Sequence, residues 1–178
     1  RPIEEVTQTL SDFVKEGKIN QIGFSEIAPS SLNKASKIFP IGAIQSEYSL
    51  STRYPELGIL QKSKEIKATL VAFSPLGRSL LTDKPHNIKK AQTLNLLKEN
   101  PRFLEPNLSH NIKITDAFRE LASDMGISSA ALAIAWLLHK GKNIVPIPGT
   151  RSTKHLKSLS KGSEVHLKPE ELNEIDKI

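Results

Sequence analysis

Two kinds of segment alternate along the chain. Val6, Leu10, Phe13 and Val14 recur at helical spacing and predict an amphipathic helix that stops at Gly17. Ile19 to Ser25 reads as a short strand. Pro29-Ser30-Ser31 supplies a helix start, and Leu32, Ala35 and Ile38 carry its apolar face as far as Phe39-Pro40, where an extended run from Ile41 to Tyr48 begins. A third helix is predicted over Glu56 to Lys67. Thr69-Leu70-Val71-Ala72-Phe73 is a continuous apolar run of strand length, the kind buried on both faces of a parallel sheet.

From Arg78 to Pro106 the regularity is lost. Pro85, Pro101 and Pro106 fall in this stretch, which reads as a long excursion with one short helix around Lys89 to Lys98. Regularity resumes with a helix over Ser109 to Met125 closed by Gly126. Ser128 caps the most apolar helix, Ser129 to Lys140, and the strand Asn143 to Ile147 follows. Helices over Ser152 to Ser160 and from Pro169 to Ile178 complete the chain. Strands separated by crossover helices imply an α/β protein with a parallel sheet of four strands, folded as one unit over residues 1–178 with 78–106 as an insertion. A complete (β/α)8 barrel usually needs about 250 residues, so four βα units in 178 residues fall short of one.

Composition narrows the chemistry. With no cysteine there is no disulfide scaffold, thiol nucleophile or Cys-based metal site. The five histidines, His86, His110, His139, His155 and His166, lack metal-ligand spacing, so no metal is expected. The formal net charge is +6, but the lysines are scattered along helical stretches and only 5% of residues are aromatic, which argues against a nucleic-acid partner. No apolar run reaches the roughly 18 residues of a membrane span, and Arg1-Pro2-Ile3-Glu4-Glu5 resembles neither a signal nor a transit peptide. A cytoplasmic protein without a membrane partner is the expectation.

In parallel α/β architectures ligands bind at the carboxyl ends of the strands. Four runs occupy those ends: Gly23-Phe24-Ser25-Glu26, Gln45-Ser46-Glu47-Tyr48, Phe73-Ser74-Pro75-Leu76-Gly77-Arg78 and Pro146-Ile147-Pro148-Gly149-Thr150-Arg151. Ser25 and Gln45 offer donors and acceptors suited to a carboxamide, and Phe73 offers a flat face to a ring. Ser74 to Arg78 combines a hydroxyl, a rigid Pro and a Gly that lets backbone N–H groups approach an anion. Gly149-Thr150-Arg151 precedes a helix whose N-terminus favours negative charge, with Arg151 and Lys154 adding cations. Each has a plainer reading too: Ser25 and Thr150 as turn or helix caps, Phe73 as core, Arg151 as a solvated charge. Neither a GxGxxG nor a Walker loop is present.

The runs Ile22-Gly23-Phe24-Ser25, Gln45-Ser46-Glu47-Tyr48-Ser49-Leu50, Val71 to Arg78 and Ile144 to Arg151, in this order, resemble the aldo-keto reductase family, and the likeness covers essentially the whole chain. The resemblance implies a (β/α)8 TIM barrel, of which this chain carries the second half, strands five to eight, and an NADP(H) cofactor bound without a Rossmann motif. It places Ser25 and Gln45 at the nicotinamide carboxamide and Phe73, where the family commonly has Tyr, against the nicotinamide ring. Ser74, Leu76 and Arg78 match the loop along the pyrophosphate, and Gly149, Thr150 and Arg151 the segment around the adenosine 2′-phosphate. Two departures stand out. Glu26 replaces a frequent Asn, a variant associated with fungal pyridoxal-reductase-like members, and Ser158 and Leu159 replace a Glu-Asn pair near the adenine, leaving the strictness of NADP over NAD open.

The family's catalytic Asp, Tyr, Lys and His come from the first four strands, so no catalytic residue is expected in this chain. Tyr48 and Tyr54, its only tyrosines, fall at the wrong positions for the proton donor. The expected activity is NADPH-dependent reduction of a small aldehyde or ketone, pyridoxal being a specific candidate, by a complete protein in which this chain supplies the cofactor-binding half. Alone it is expected to be inactive, to need the N-terminal half of the barrel, and to self-associate through unpaired strand edges. The alternative is a non-catalytic NADPH-binding regulatory protein of the same fold.

Overall fold

The computed structural model describes residues 1–178. Its centre is a parallel sheet of β1 (Ile22–Ser25), β2 (Ile41–Glu47), β3 (Thr69–Phe73) and β4 (Ile144–Ile147), in the spatial order β1-β2-β3-β4. Helix α1 (Ile3–Lys15) leads into β1, α2 (Pro29–Ile38) connects β1 to β2, and a 3-10 turn (Tyr54–Leu57) with α3 (Ile59–Glu65) connects β2 to β3. Between β3 and β4 lie α4 (Ile88–Gln92), α5 (Asn107–Ile114), α6 (Asp116–Asp124) and α7 (Ser129–Lys140). Helices α8 (Thr153–Lys161) and α9 (Pro169–Ile175) follow β4. The predicted alternation, the parallel sheet and all four strands are present.

The two faces of the sheet differ. Ile22, Ile44, Leu70, Ala72 and Ile144 are buried in a core with Leu32 of α2, Phe118 of α6 and Leu132, Trp136 and Leu137 of α7. The residues between them point the other way, as strand alternation requires. Cross-strand partners Ser25 and Gln45, Gln45 and Val71, and Val71 and Val145 form one row on that second face. Glu47, Phe73 and Ile147 form the next row toward the carboxyl ends. This face is left open: Val145 and Ile147 are 48% and 44% exposed. The outer edges of β1 and β4 are unpaired.

A polar clamp fastens the C-terminus behind the sheet. The Trp136 indole, fully buried, donates to Asp176 Oδ1 at 2.9 Å, and Lys140 Nζ reaches both oxygens of that carboxylate at 3.0 and 2.9 Å. Arg53 grips Glu56 with two hydrogen bonds and donates to the Asp176 carbonyl at 3.1 Å. Tyr48, fully buried, donates its hydroxyl to Glu56 at 2.8 Å. Burial first, and then that bond, push the Tyr48 phenol far above its ordinary range.

Four element boundaries differ from the sequence expectation. Strand β1 starts at Ile22 and not Ile19, because Lys18 and Ile19 donate to the Phe13 carbonyl and close α1 behind Gly17. The helix expected over Glu56 to Lys67 is interrupted at Gly58, whose φ of 151° lies outside helical geometry. The helix expected over Ser109 to Met125 is α5 and α6, which break at Thr115. There Arg119 reaches back to the Ile112 carbonyl at 2.6 Å and to Thr115 Oγ1 at 2.9 Å, satisfying the end of α5. The helix expected over Lys89 to Lys98 shortens to α4, and the excursion closes on a core of its own from Leu80, Ala91, Leu97, Phe103 and Leu108.

Candidate functional site

The nine residues singled out in the sequence gather at the carboxyl ends of the strands, on and beside the open face. Ser25 and Gln45 are register partners on β1 and β2, and both are exposed. Phe73 ends β3 on the same face, one row further toward the carboxyl ends, half-buried between Glu47 and Ile147. A polar pair and an aromatic ring therefore lie side by side on a surface otherwise lined by Ala43, Val71 and Val145.

Past Phe73 the backbone turns sharply. Ser74, Gly77, Arg78 and Ser79 all have positive φ, at 49°, 56°, 53° and 96°. At Gly77 only glycine fits, since a Cβ there would sit 2.8 Å from Ser51 Oγ in a left-handed backbone. Strain of this kind at three non-glycine residues persists only where the surroundings enforce it. The turn is closed by Gly77 N–H on the Ser74 carbonyl and by Ser79 and Leu81 N–H on the Leu76 carbonyl, while the Leu76 and Arg78 amides find no acceptor within the chain. Free amides in a left-handed turn suit an anion.

This turn lines a cleft of about 640 Å³ through Ser74 to Leu76, Arg78 and Ser79, together with Leu94 to Leu97 of the excursion and Pro148, Gly149 and His155 around the end of β4 and the start of α8. Gly149 is exposed, with nothing within 4 Å of where a side chain would begin. Thr150 accepts the Ser152 N–H at 3.2 Å, and Ser152 in turn caps α8 through the His155 N–H at 3.4 Å. The turn-forming role of Thr150 is thus realised; of this segment Gly149 and His155 line the cleft, and Thr150, Arg151 and Lys154 do not. Arg151 is exposed beside it. From Gly149 to Lys161 the chain carries Arg151, Lys154, Lys157 and Lys161 and no acidic residue. His86, also lining the cleft, titrates below its ordinary value because of burial and then the nearby charge of Lys90.

Arg78 is the residue whose surroundings differ most from a free phosphate ligand. Its Nη2 lies 2.9 Å from Glu47 Oε2 and its Nε 3.4 Å from Oε1. Arg102 joins the same carboxylate at 3.0 Å and donates to Thr52 Oγ1 at 2.6 Å. Burial opposes ionisation of Glu47, but the hydrogen bonds from Arg78 and Arg102 prevail and hold its carboxyl below the usual carboxylate range. Sequence reasoning missed this cluster. Glu47 had a signal, standing two residues beyond Gln45 and hence on the same face; Arg102 had none.

Other expectations are placed as follows. Tyr48 is buried on the helix side of the sheet and bonded to Glu56, whereas Tyr54 is 78% exposed at the rim. Ser158 bonds the Ser128 hydroxyl at 2.7 Å and Leu159 is buried, so both face α7. His139 is tied to the Ala135 carbonyl at 2.8 Å and to the Leu167 N–H at 3.2 Å. Glu26, with φ of 51°, accepts the Glu47 N–H at 2.7 Å.

Known proteins are similar to this chain in sequence and fold. The profile of the Aldo/keto reductase family matches residues 1–178. Probable aldo-keto reductase 1 of Glycine max is 38% identical over 174 residues, covering 98% of this chain and 50% of the relative. The Schizosaccharomyces pombe protein named aldo-keto reductase yakc [NADP(+)] is 32% identical over 177 residues, covering 98% and 52%. Among solved structures, the glycerol dehydrogenase AKR11B4 from Gluconobacter oxydans superposes with a TM-score of 0.84 at 26% identity, covering 99% of this chain and 54% of that one. The thermostable aldo-keto reductase Tm1743, solved with the inhibitor epalrestat, gives 0.75 at 28% identity, covering 99% and 55%. The chain spans about half the length of the curated relatives it matches.

Proposed function

Since the chain belongs to the aldo/keto reductase family over its whole length, we propose that it is the NADP(H)-holding half of a carbonyl reductase, four of the eight strands of a (β/α)8 barrel. The observation that carries this reading is the convergence at the carboxyl ends of the strands: the Ser25 and Gln45 pair, the Phe73 ring, and a cleft lined by the strained turn at Ser74 and by Gly149 and His155, with Arg151 exposed between these last two in sequence. The open edges of β1 and β4 and the apolar residues on the open face support a complementary half closing over it.

The residues present suit the dinucleotide. Ser25 and Gln45 supply the paired donors and acceptors that a carboxamide needs, and Phe73 supplies the flat contact for its ring. The free Leu76 and Arg78 amides supply donors for a pyrophosphate. Arg151, with Lys154 beside it, supplies charge for a 2′-phosphate. When bound, NADPH supplies the hydride that reduces an aldehyde or ketone carbon. This chain orients the ring and neutralises phosphate charge; Tyr48 is buried and bonded to Glu56, and neither Tyr48 nor Tyr54 matches the family's proton donor, so the proton for the carbonyl oxygen comes from the complementary half. We assign pyridoxal-like aldehydes as the narrower substrate class on Glu26 alone.

The test is NADPH oxidation with a panel of aldehydes, pyridoxal among them, by the 178-residue chain alone and after co-refolding with the complementary half of a family barrel. No turnover alone and turnover on completion is the expected result. Ordinary rates from the chain alone would place the catalytic groups within it and overturn the assignment.

A further inference from the structure

We propose that Glu47 is a positioning residue for the cofactor cleft: its carboxylate fastens both the turn after β3 and the far end of the excursion to one point on the sheet. The inference rests on the reading that the cleft takes NADP(H), and it adds what holds the cleft's two walls in place before any ligand arrives.

Three elements meet at this carboxylate. Arg78 brings the strained turn that forms one wall, bound at 2.9 and 3.4 Å. Arg102 brings the excursion, bound at 3.0 Å and braced on Thr52 at 2.6 Å. Arg102 stands next to Phe103, which is fully buried in the excursion's own core with Leu97, and Leu97 also lines the cleft. Fixing Arg102 therefore steadies the cleft lining through the excursion's small core. Glu47 itself is rigid at its base, since its N–H is held by Glu26 at 2.7 Å and its residue pairs with Phe73 in the sheet. Its side chain is 13% exposed, so water competes poorly for the guanidinium groups.

The arrangement is also unequal in charge: two guanidinium groups share one carboxylate. Neutralising Glu47 leaves these two like charges without the carboxylate that both of them bind. The excursion, whose core has only five buried residues, is then held to the turn by weaker ties such as the His86 N–H on Ser79 Oγ at 3.1 Å. The cluster does not touch the reacting atoms; it acts by where it holds the turn and the wall.

The test combines amide hydrogen exchange of residues 78–106 in the ligand-free chain with NADPH affinity, for Glu47→Gln, Arg102→Met and the double variant. Each single variant is expected to speed exchange in the excursion about tenfold, leave α7 unchanged, and weaken NADPH about tenfold, with the double no worse than either single, as members of one unit behave. Unchanged exchange in both single variants overturns the proposal. So does additivity in the double. If Glu47→Gln fails to fold, Arg102→Met, which leaves Glu47 paired with Arg78, decides alone by the same readouts. Exchange that responds in a chain that binds no NADPH supports the clasp and defeats the cofactor reading; NADPH binding with unresponsive exchange defeats the clasp only.

Discussion

Asp176→Ala is expected to destabilise the chain by about 2–4 kcal/mol, although the residue lies within the last three positions of the sequence. The carboxylate accepts from the Trp136 indole at 2.9 Å and from Lys140 at 3.0 and 2.9 Å, and Arg53 lies 3.5 Å away. Trp136 is fully buried, so its N–H loses its acceptor, at a cost of about 1–3 kcal/mol. Lys140 and Arg53 keep Glu56 at 3.8 and 2.8 Å and their places against the Trp136 ring, so each loses only about 0.5 kcal/mol. For a chain of this size 1 kcal/mol moves the thermal midpoint by roughly 2–4 °C, which gives a fall of roughly 5–15 °C. Asp176→Asn keeps an oxygen for the indole and should lose less than half as much. Urea unfolding followed by tryptophan fluorescence gives both numbers in one series. An Ala variant within about 0.5 kcal/mol of the parent would refute the clamp, because the indole would then have found another partner.

Gly162→Ala should cost about 1–3 kcal/mol without touching the cleft, since a Cβ there would meet the Ala131 carbonyl at 2.6 Å and Ile134 Cβ at 2.8 Å where α8 ends on α7; urea midpoints check it. Acid should act through Glu47, Glu56 and Asp176, all held below their ordinary values of 4.5, 4.5 and 3.8 by their cationic and hydrogen-bond partners against the cost of burial. The unfolded chain takes up protons first, so their stabilisation is complete above those ordinary values and lost as pH falls through the lower native ones. Urea midpoints should therefore hold steady with respect to these groups from neutrality to about pH 5 and drop below pH 4.5; a drop confined to pH 6–7 would point to other groups. Cofactor binding should weaken steeply with salt, because Arg151 and the lysines of α8 are exposed.

Strand positions were legible because apolar runs of strand length, Thr69 to Phe73 above all, alternate with helical periods, and a parallel sheet follows from that order. The same logic placed Ser25, Gln45 and Phe73 at strand ends. Strand parity then brings all three onto one face, and the register confirms that Ser25 and Gln45 are neighbours. What was not legible depends on contacts between distant residues. Arg102 finds Glu47 across 55 positions of sequence. The break between α5 and α6 falls at Thr115, between Leu108 in the excursion's core and Phe118 in the main core, where Arg119 takes up the Ile112 carbonyl. The periodicity of Ser109 to Met125 records apolar spacing but not which core each residue joins. Leu159 illustrates the same limit: it is buried, whereas His155 one turn earlier in α8 lines the cleft.

Equilibrium titration of the 178-residue chain with NADPH and NADH, read by calorimetry at low salt, tests the central claim most directly. One NADPH per chain is predicted, bound about tenfold more tightly than NADH, with that preference lost in Arg151→Ala while NADH affinity stays unchanged. Equal affinity for the two dinucleotides, or a preference that survives Arg151→Ala, would contradict the assignment of the cationic start of α8 to the 2′-phosphate; no binding of either would contradict the cofactor reading itself.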